Sequence, residues 1–274
     1  MKFGFVFPKG DPNSAVSLAQ EAEKAHWDGF FMWEPVWGVD AWVTLSAIAM
    51  RTKRIKLGTM ITPVSRCRPW KLASETASLD QISNGRVVLS VALGSLNTGF
   101  DEFGEVTDRK TRAELLNEGL EIITGLWKGP PFKYKGKHYQ IREASFFNEH
   151  PPPLPKQSPR IPIWVVGAWP RKKSMDRVLK YDGILPAKMN KDGTIVSVTP
   201  EDLREIKTFI AVNRSLNTPF DIVIEGTTPG NDLEESLDKI NPFAKAGATW
   251  WIEAMWSAKT LEVIRKRIQQ GPPK

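Results

Sequence analysis

One feature restricts the fold of this chain more than any other. Short apolar runs and longer amphipathic stretches alternate along it about eight times. Runs at 2–7, 29–33, 55–62, 87–92, 163–166, 183–186, 220–225 and 249–254 read as strands. The intervening stretches have helical periodicity: one from a cap at Asn13 or Ser14, then 40–51, 70–83, 109–127, 172–181, one opened by Thr199 and Pro200, 232–246 and 258–270. Asn84 and Gly85 end the third helix with a left-handed stop signal. Strands separated by whole helices cannot pair as hairpins, so the sheet is predicted to be parallel. Eight such units match a closed (β/α)8 TIM barrel, an α/β fold.

An open doubly wound sheet is the competing topology. It would place a glycine-rich phosphate turn after the first strand, whereas here Pro8-Lys9-Gly10-Asp11-Pro12 follows, with no G-x-G-x-x-G pattern. The rhythm breaks once, between the fourth helix and the fifth strand. Residues 128–159 carry PPFKYKGKHYQI and HPPPLPKQSP, whose prolines forbid regular helix. This Pro-rich insertion is expected to form a small hairpin around Lys135-Gly136 and then an extended connector. Residues 1–274 are expected to be one barrel domain.

Composition removes several function classes. With 41% hydrophobic and 25% charged residues the chain can bury a large core. No apolar run approaches the roughly 20 residues that span a bilayer, so no membrane-spanning helix is expected. The opening MKFGFVFPKGD reads as a first strand rather than a signal peptide. One cysteine, Cys67, leaves no intramolecular disulfide, and a reducing cytoplasm is the expected compartment. The net charge of +7 comes from Lys and Arg scattered in mixed-sign company, and no nucleic-acid-binding signature accompanies it.

A barrel enzyme carries its reactive groups on the loops that leave the C-terminal ends of its strands. His26, His138 and His150 have no metal-ligand spacing, so no metal site is expected, and no G-x-S-x-G elbow suggests a serine hydrolase. The loops are rich instead in aromatic, apolar and small residues. Such a rim suits a flat cofactor with an anionic tail. Two loops compete for the tail, 167–174 with Gly167, Ala168, Arg171 and Lys172, and 226–231 with its glycines and threonines. Ordinary strand–helix connections would look the same. Glu34 stands at the end of the second strand, and Pro35 confines it to extended backbone, so its side chain is held in place. A contact to cofactor or substrate, or a structural ion pair, would each account for it. Cys67 sits between Arg66 and Arg68 and is expected to be an idle thiol.

At these residues the chain resembles the luciferase-like monooxygenases, the superfamily of bacterial luciferase and the deazaflavin-dependent reductases. The resemblance is carried by AEKAHWDGFFMWE at 22–34, DAWVTLSAIAMRTKRIKLGTMITPV at 40–64 and RPWKLASETASLDQISNGRVVLSVALG at 68–94, with weaker support from FGE at 103–105, PRIPIWVVGAWP at 159–170 and YDGILP at 181–186. It implies a barrel that binds FMN, or alternatively the deazaflavin coenzyme F420, across the strand ends. Trp33, Thr59, Met60, Thr62, Leu93, Gly94, Gly167, Ala168, Arg171 and Lys172 would then bind the cofactor, and Glu34 would be catalytic. It implies a non-proline cis peptide at Thr59-Met60, cofactor phosphate near Gly167 and Ala168, and a homodimer formed through helices two and three. Two positions depart from the pattern. Pro35 stands where many members have His, and Leu93 stands where bacterial luciferase has a basic phosphate contact.

Three functions follow from this reading: a flavin-dependent oxidoreductase (monooxygenase or reductase) acting on a small organic molecule, a flavin-binding barrel without catalysis, or an unrelated barrel enzyme using Glu34, such as a phosphosugar isomerase.

Overall fold

A computed structural model describes residues 1–190 and 194–273. Eight strands form the barrel wall: β1 (Lys2–Phe7), β2 (Gly29–Met32), β3 (Lys56–Thr59), β4 (Val87–Ala92), β5 (Ile163–Trp169), β6 (Gly183–Met189), β7 (Asp221–Gly226) and β8 (Trp250–Ala254). Each pairs in parallel with the next, and β8 pairs with β1, so the sheet closes. The helices α1 (Pro12–Lys24), α2 (Ala41–Arg51), α3 (Pro69–Ile82), α4 (Arg109–Leu126), α5 (Lys172–Val178), α6 (Pro200–Asn213), α7 (Leu233–Ala246) and α8 (Leu261–Gln269) follow the strands in turn. Among the described residues no helix is long and apolar enough to cross a membrane.

Side-chain alternation along each strand creates two cores. Phe5, Phe30, Leu57, Leu89, Val165, Ile184, Ile224 and Trp251 face outward and pack under the helices. Val6, Phe31, Val88, Trp164, Leu185, Val223, Trp250 and Ile252 face inward. Phe31, Trp164 and Trp250 plug the barrel, with ring centroids 5.3–6.1 Å apart. Small residues make room for them. A Cβ on Gly29 would lie 2.7 Å from the Phe31 ring, and one on Gly183 would overlap Trp164. Burial of each of these three rings stabilises the fold by on the order of 3–5 kcal/mol before conformational entropy is counted. The plug closes the lower barrel, which leaves only the C-terminal end as a mouth.

The most specific family stretch, L-D-x-x-S-x-G-R at 79–86, works at the opposite, N-terminal end. Asn84 and Gly85 both take positive φ (58° and 80°) and turn the chain out of α3 into β4. The buried Arg86 guanidinium then donates to the carbonyls of Ala49, Thr52, Ile55 and Ser83, tying α2, β3 and α3 together. The Asp80 carboxylate accepts from Gln157 N and Nε2, which anchors the Pro-rich segment to the same end. That segment carries the expected hairpin, Tyr134–Lys135 paired with Gln140–Ile141, and adds a short helix at Ser145–Glu149.

Several boundaries differ from the sequence expectation, each for a local reason. Helix α1 starts at Pro12 rather than after Asn13, because the Asp11 carboxylate accepts from Asn13 N and Ser14 N and caps it. The third predicted strand is interrupted: β3 ends at Thr59, the Met60–Ile61 peptide is cis, and Thr62–Pro63 pairs separately with β4. The cis bond therefore lies one residue beyond Thr59-Met60. Strands β5 and β6 run three residues further than predicted. Gly167, Ala168 and Trp169 pair with Pro186, Ala187 and Lys188, so Gly167 and Ala168 belong to the ladder and not to a loop. Proline in a run suggests a strand end, but on β6 it takes a ladder position.

Candidate functional site

The mouth is built from the inward-facing residues at the strand ends. Met60, Ile61, Val166, Leu185 and Ala254 belong to the interior cluster and form an apolar floor above the aromatic plug. Ser90 lies on the interior face of β4, two residues beyond Val88. Its buried Oγ has no hydrogen-bond partner among the described residues. A buried hydroxyl without a partner marks a place where a polar atom of another molecule, or a water, would be stabilised.

At one edge of the floor Glu34 is fixed by three elements. Thr62 Oγ1 donates to Glu34 Oε2, Thr59 Oγ1 and Thr62 Oγ1 are 2.8 Å apart, and Thr59 Oγ1 also reaches the Ser90 carbonyl at 3.3 Å. Thr59 and Thr62 are fully buried, so their hydroxyls hold Glu34 from beneath. Arg66 approaches Glu34 Oε1 at 3.6 Å and donates to the Pro35 carbonyl at 3.1 Å. Burial outweighs both stabilising contacts and pushes the Glu34 carboxyl up from 4.5 to about 7. Glu34 therefore exchanges a proton near neutral pH without a histidine beside it. Burial also pushes the Cys67 thiol well above its ordinary range, opposing Arg66, which leaves it inert.

The loop after β4 turns at Gly94, whose φ is +80°; a Cβ there would lie 2.5 Å from the Phe100 ring. Arg112 donates to the carbonyls of Leu93 (3.0 Å) and Gly94 (3.1 Å) and fixes this loop. Beside it, between α4 and α5, a cleft of about 880 Å³ opens. Leu93, Ser174 and six cationic residues line it (Arg109, Lys110, Arg171, Lys173, Arg177 and Lys180), against the four acids Asp108, Glu114, Glu121 and Asp176. Arg109 reaches over the mouth, where a guanidinium nitrogen lies 3.4 Å from the Met189 sulfur at the end of β6. Arg109 thus links the cleft to β6, the strand that carries Leu185 of the floor.

The residues singled out from sequence are partly brought together. Glu34, Thr59 and Thr62 form one hydrogen-bonded chain, Met60 lies in the floor, and Leu93 and Arg171 line the cleft. Trp33, 39% exposed, stands beside Glu34 on the rim. Gly167 and Ala168 do not line the cleft. A Cβ on Gly167 would meet Ile184 and Val178, so its absence lets α5 pack on the sheet, and the Ala168 N–H donates to Ser174 Oγ. Lys172 points to solvent and pairs with Asp176. In the competing loop at 226–231, Thr228 donates from N and Oγ1 to Glu253, which is ion-paired with Arg267. Among the described residues no acidic, histidine and cysteine cluster could hold a metal ion.

Sequence reading missed Arg109, Arg177 and Glu225. Glu225 follows Val223 on the inward phase of β7, is exposed at the strand end, and accepts a hydrogen bond from Trp256 Nε1. A carboxylate ending an apolar strand on its interior phase is the pattern that would have found it.

A family model described as luciferase-like monooxygenase matches residues 1–247. The F420-dependent glucose-6-phosphate dehydrogenase of Amycolatopsis mediterranei (strain U-32) is 31% identical over 154 residues, covering 53% of this chain and 46% of that protein. The oxygenase component of the flavin-dependent trigonelline monooxygenase of Acinetobacter baylyi (strain ATCC 33305 / BD413 / ADP1) is 30% identical over 128 residues, or 47% of this chain and 34% of that protein. The chain thus spans about half the length of the first of these relatives and about a third of the second. Among solved structures, the coenzyme F420-dependent tetrahydromethanopterin reductase of Methanopyrus kandleri superposes with a TM-score of 0.75 at 18% identity, over 98% of this chain and 96% of that one. An F420-dependent secondary alcohol dehydrogenase superposes with a TM-score of 0.77 at 17% identity, over 99% and 98%. These two likenesses establish the fold.

Proposed function

The chain belongs to the luciferase-like monooxygenase family, and from that membership we propose that it is a flavin-type oxidoreductase acting on a small organic substrate at the barrel mouth. One observation supports the reading: an apolar cluster and a buried carboxyl held up near 7 stand at the strand ends, and a cation-lined cleft opens between α4 and α5 beside the loop after β4. The residues present fit FMN or coenzyme F420. Met60, Ile61, Val166 and Leu185 would support the ring system, Ser90 Oγ offers a buried polar contact, and Arg109, Lys173, Ser174 and Arg177 would hold the anionic tail. When bound, either cofactor supplies the redox chemistry by transfer of a hydride or of electrons.

The chain's own part is to orient, to shield and to move a proton. The aromatic plug and the apolar floor keep water from below the reacting face. Glu34 Oε2 accepts from Thr62, so Oε1, with Arg66 3.6 Å away, is the atom that would give a proton to substrate or take one from it. This role favours catalysis over a barrel that only stores flavin, despite Pro35 in place of the family His.

Titration of the purified protein with FMN and with F420, followed by absorbance and fluorescence, tests the reading. Micromolar binding of at least one is expected, weakened about tenfold or more in Arg109→Ala. Failure to bind either overturns it, whereas binding without any substrate-dependent turnover would point to the storage barrel. A homodimer is also proposed, because Val43 and Met50 on α2 and Trp70 and Ile82 on α3 are 43–74% exposed. Light scattering should give twice the monomer mass, and Met50→Glu should shift it towards monomer.

A further inference from the structure

Four oxygens beside the barrel mouth make three contacts in a row. The Ser90 carbonyl lies 3.3 Å from Thr59 Oγ1, Thr59 Oγ1 lies 2.8 Å from Thr62 Oγ1, and Thr62 Oγ1 is hydrogen-bonded to Glu34 Oε2. Both threonines are fully buried, so their hydroxyls have no access to bulk water. A hydroxyl has one hydrogen to give, so the pair supplies two hydrogens for three contacts. The row has one fixed end. A carbonyl oxygen can only accept, so the Ser90 contact commits the Thr59 hydrogen to it. Thr59 must then accept from Thr62, and Thr62, its own hydrogen committed, must accept from Glu34. The carboxylic acid supplies that third hydrogen, whereas the carboxylate has none.

We propose that Thr59 and Thr62 are positioning residues for Glu34, a hydroxyl pair that accepts from the neutral acid at Oε2 and reverses to donate when the proton leaves. This rests on the proposed function only in taking Glu34 as the group that exchanges a proton with substrate. In the neutral form all three contacts are hydrogen bonds, and Oε1, beside Arg66, is the carbonyl oxygen. On ionisation one hydrogen leaves and two remain. Thr62 turns its hydrogen to Oε2, Thr59 turns its own to Thr62, and only the Ser90 contact, the longest of the three, is given up. Rotation of two hydroxyl hydrogens thus answers the new charge while every heavy atom stays in place; a fixed N–H donor would suit one form alone. The charged groups around Glu34 are Arg66, which favours the carboxylate, and Asp40 and Glu75, which favour the acid. The neighbouring Cys67 thiol is kept neutral by burial. Among the described residues none of these side chains is hydrogen-bonded to either threonine hydroxyl.

The test removes the Thr59 hydroxyl, because Val copies the shape of Thr without its oxygen. In Thr59→Val the neutral acid loses two hydrogen bonds, Thr62 to Thr59 and Thr59 to Ser90, while the carboxylate loses only that from Thr59 to Thr62. The variant should therefore be the stronger acid. Carbon-13 shifts of the glutamate carboxyl carbons, with Glu34 identified through Glu34→Gln, are followed from pH 4 to pH 9 in the purified protein without cofactor. The Glu34 midpoint, about 7 in the wild type, is expected to fall roughly threefold or more in acid strength, to about 6.5 or below. Thr59→Ser keeps the hydroxyl and should titrate as the wild type does. Thr59→Ala, which asks for no second methyl group, should shift the midpoint in the same direction and serves where the Val variant does not fold. A midpoint that stays or rises when the hydroxyl is removed overturns the proposal, because a pair that only donates, or only packs, predicts that result. Flavin titration of the same samples is a separate readout. A fallen midpoint without cofactor binding would defeat the redox assignment and leave the hydroxyl pair standing, and the converse result would do the opposite.

Discussion

Replacing Glu34 by Gln should convert a buried titration into a measurable change of stability with pH. In the folded chain burial holds the carboxyl near 7, against an ordinary value of 4.5. Below pH 4.5 both folded and unfolded states carry the proton, and stability is at its full value. As pH rises, the unfolded chain releases its proton first, and the folded state loses ground until its own carboxyl ionises near 7. The difference of about 2.5 in pKa corresponds to about 3 kcal/mol at about 1.4 kcal/mol for each tenfold. Roughly 2.5 kcal/mol of it falls between pH 5 and pH 9. Gln keeps the acceptor for Thr62 Oγ1 but cannot ionise. Urea denaturation of both proteins at pH 5, 7 and 9 should therefore show Glu34→Gln gaining on the wild type by that amount across the series, with most of the gain complete by pH 8. A stability difference independent of pH would mean that Glu34 titrates as an exposed carboxyl. The reading of it as the proton-exchanging group would then fail.

Two further outcomes follow from the packing. Gly58→Ala places a Cβ against the Val88 carbonyl oxygen in the adjoining strand, where neither backbone can retreat without breaking the β3–β4 pairing; a loss of about 3 kcal/mol in urea denaturation is expected, and a loss below about 1 kcal/mol would show that the wall yields. Cys67, recessed and with its thiolate disfavoured by burial, should react with iodoacetamide at pH 8 at least about tenfold more slowly in the native protein than in urea; equal rates would show that the loop from Val64 to Arg68 is open in solution.

The barrel was legible in the sequence because its determinants are local. Strand–helix alternation is a periodicity, the Asn84-Gly85 stop depends on two residues, and a parallel sheet follows from helices between the strands. Glu34 was legible for a similar reason, since the following proline fixes its backbone. The L-D-x-x-S-x-G-R stretch was conspicuous as well, yet the fold assigns it to the stability end of the barrel through Arg86 and Asp80.

What the tertiary structure alone decided is which side chains share the mouth. Glu225 takes the inward phase at the exposed end of β7 through its register with β8, and Arg109 and Arg177 meet at one cleft because α4 and α5 flank it. Gly167 and Ala168, expected in a loop, join the sheet because β5 and β6 pair three residues further than their sequences suggest. A local pattern sets an element's type, but the face a residue presents at a strand end depends on pairing with a strand about twenty residues or more away in sequence, and that information appears only when the ring closes.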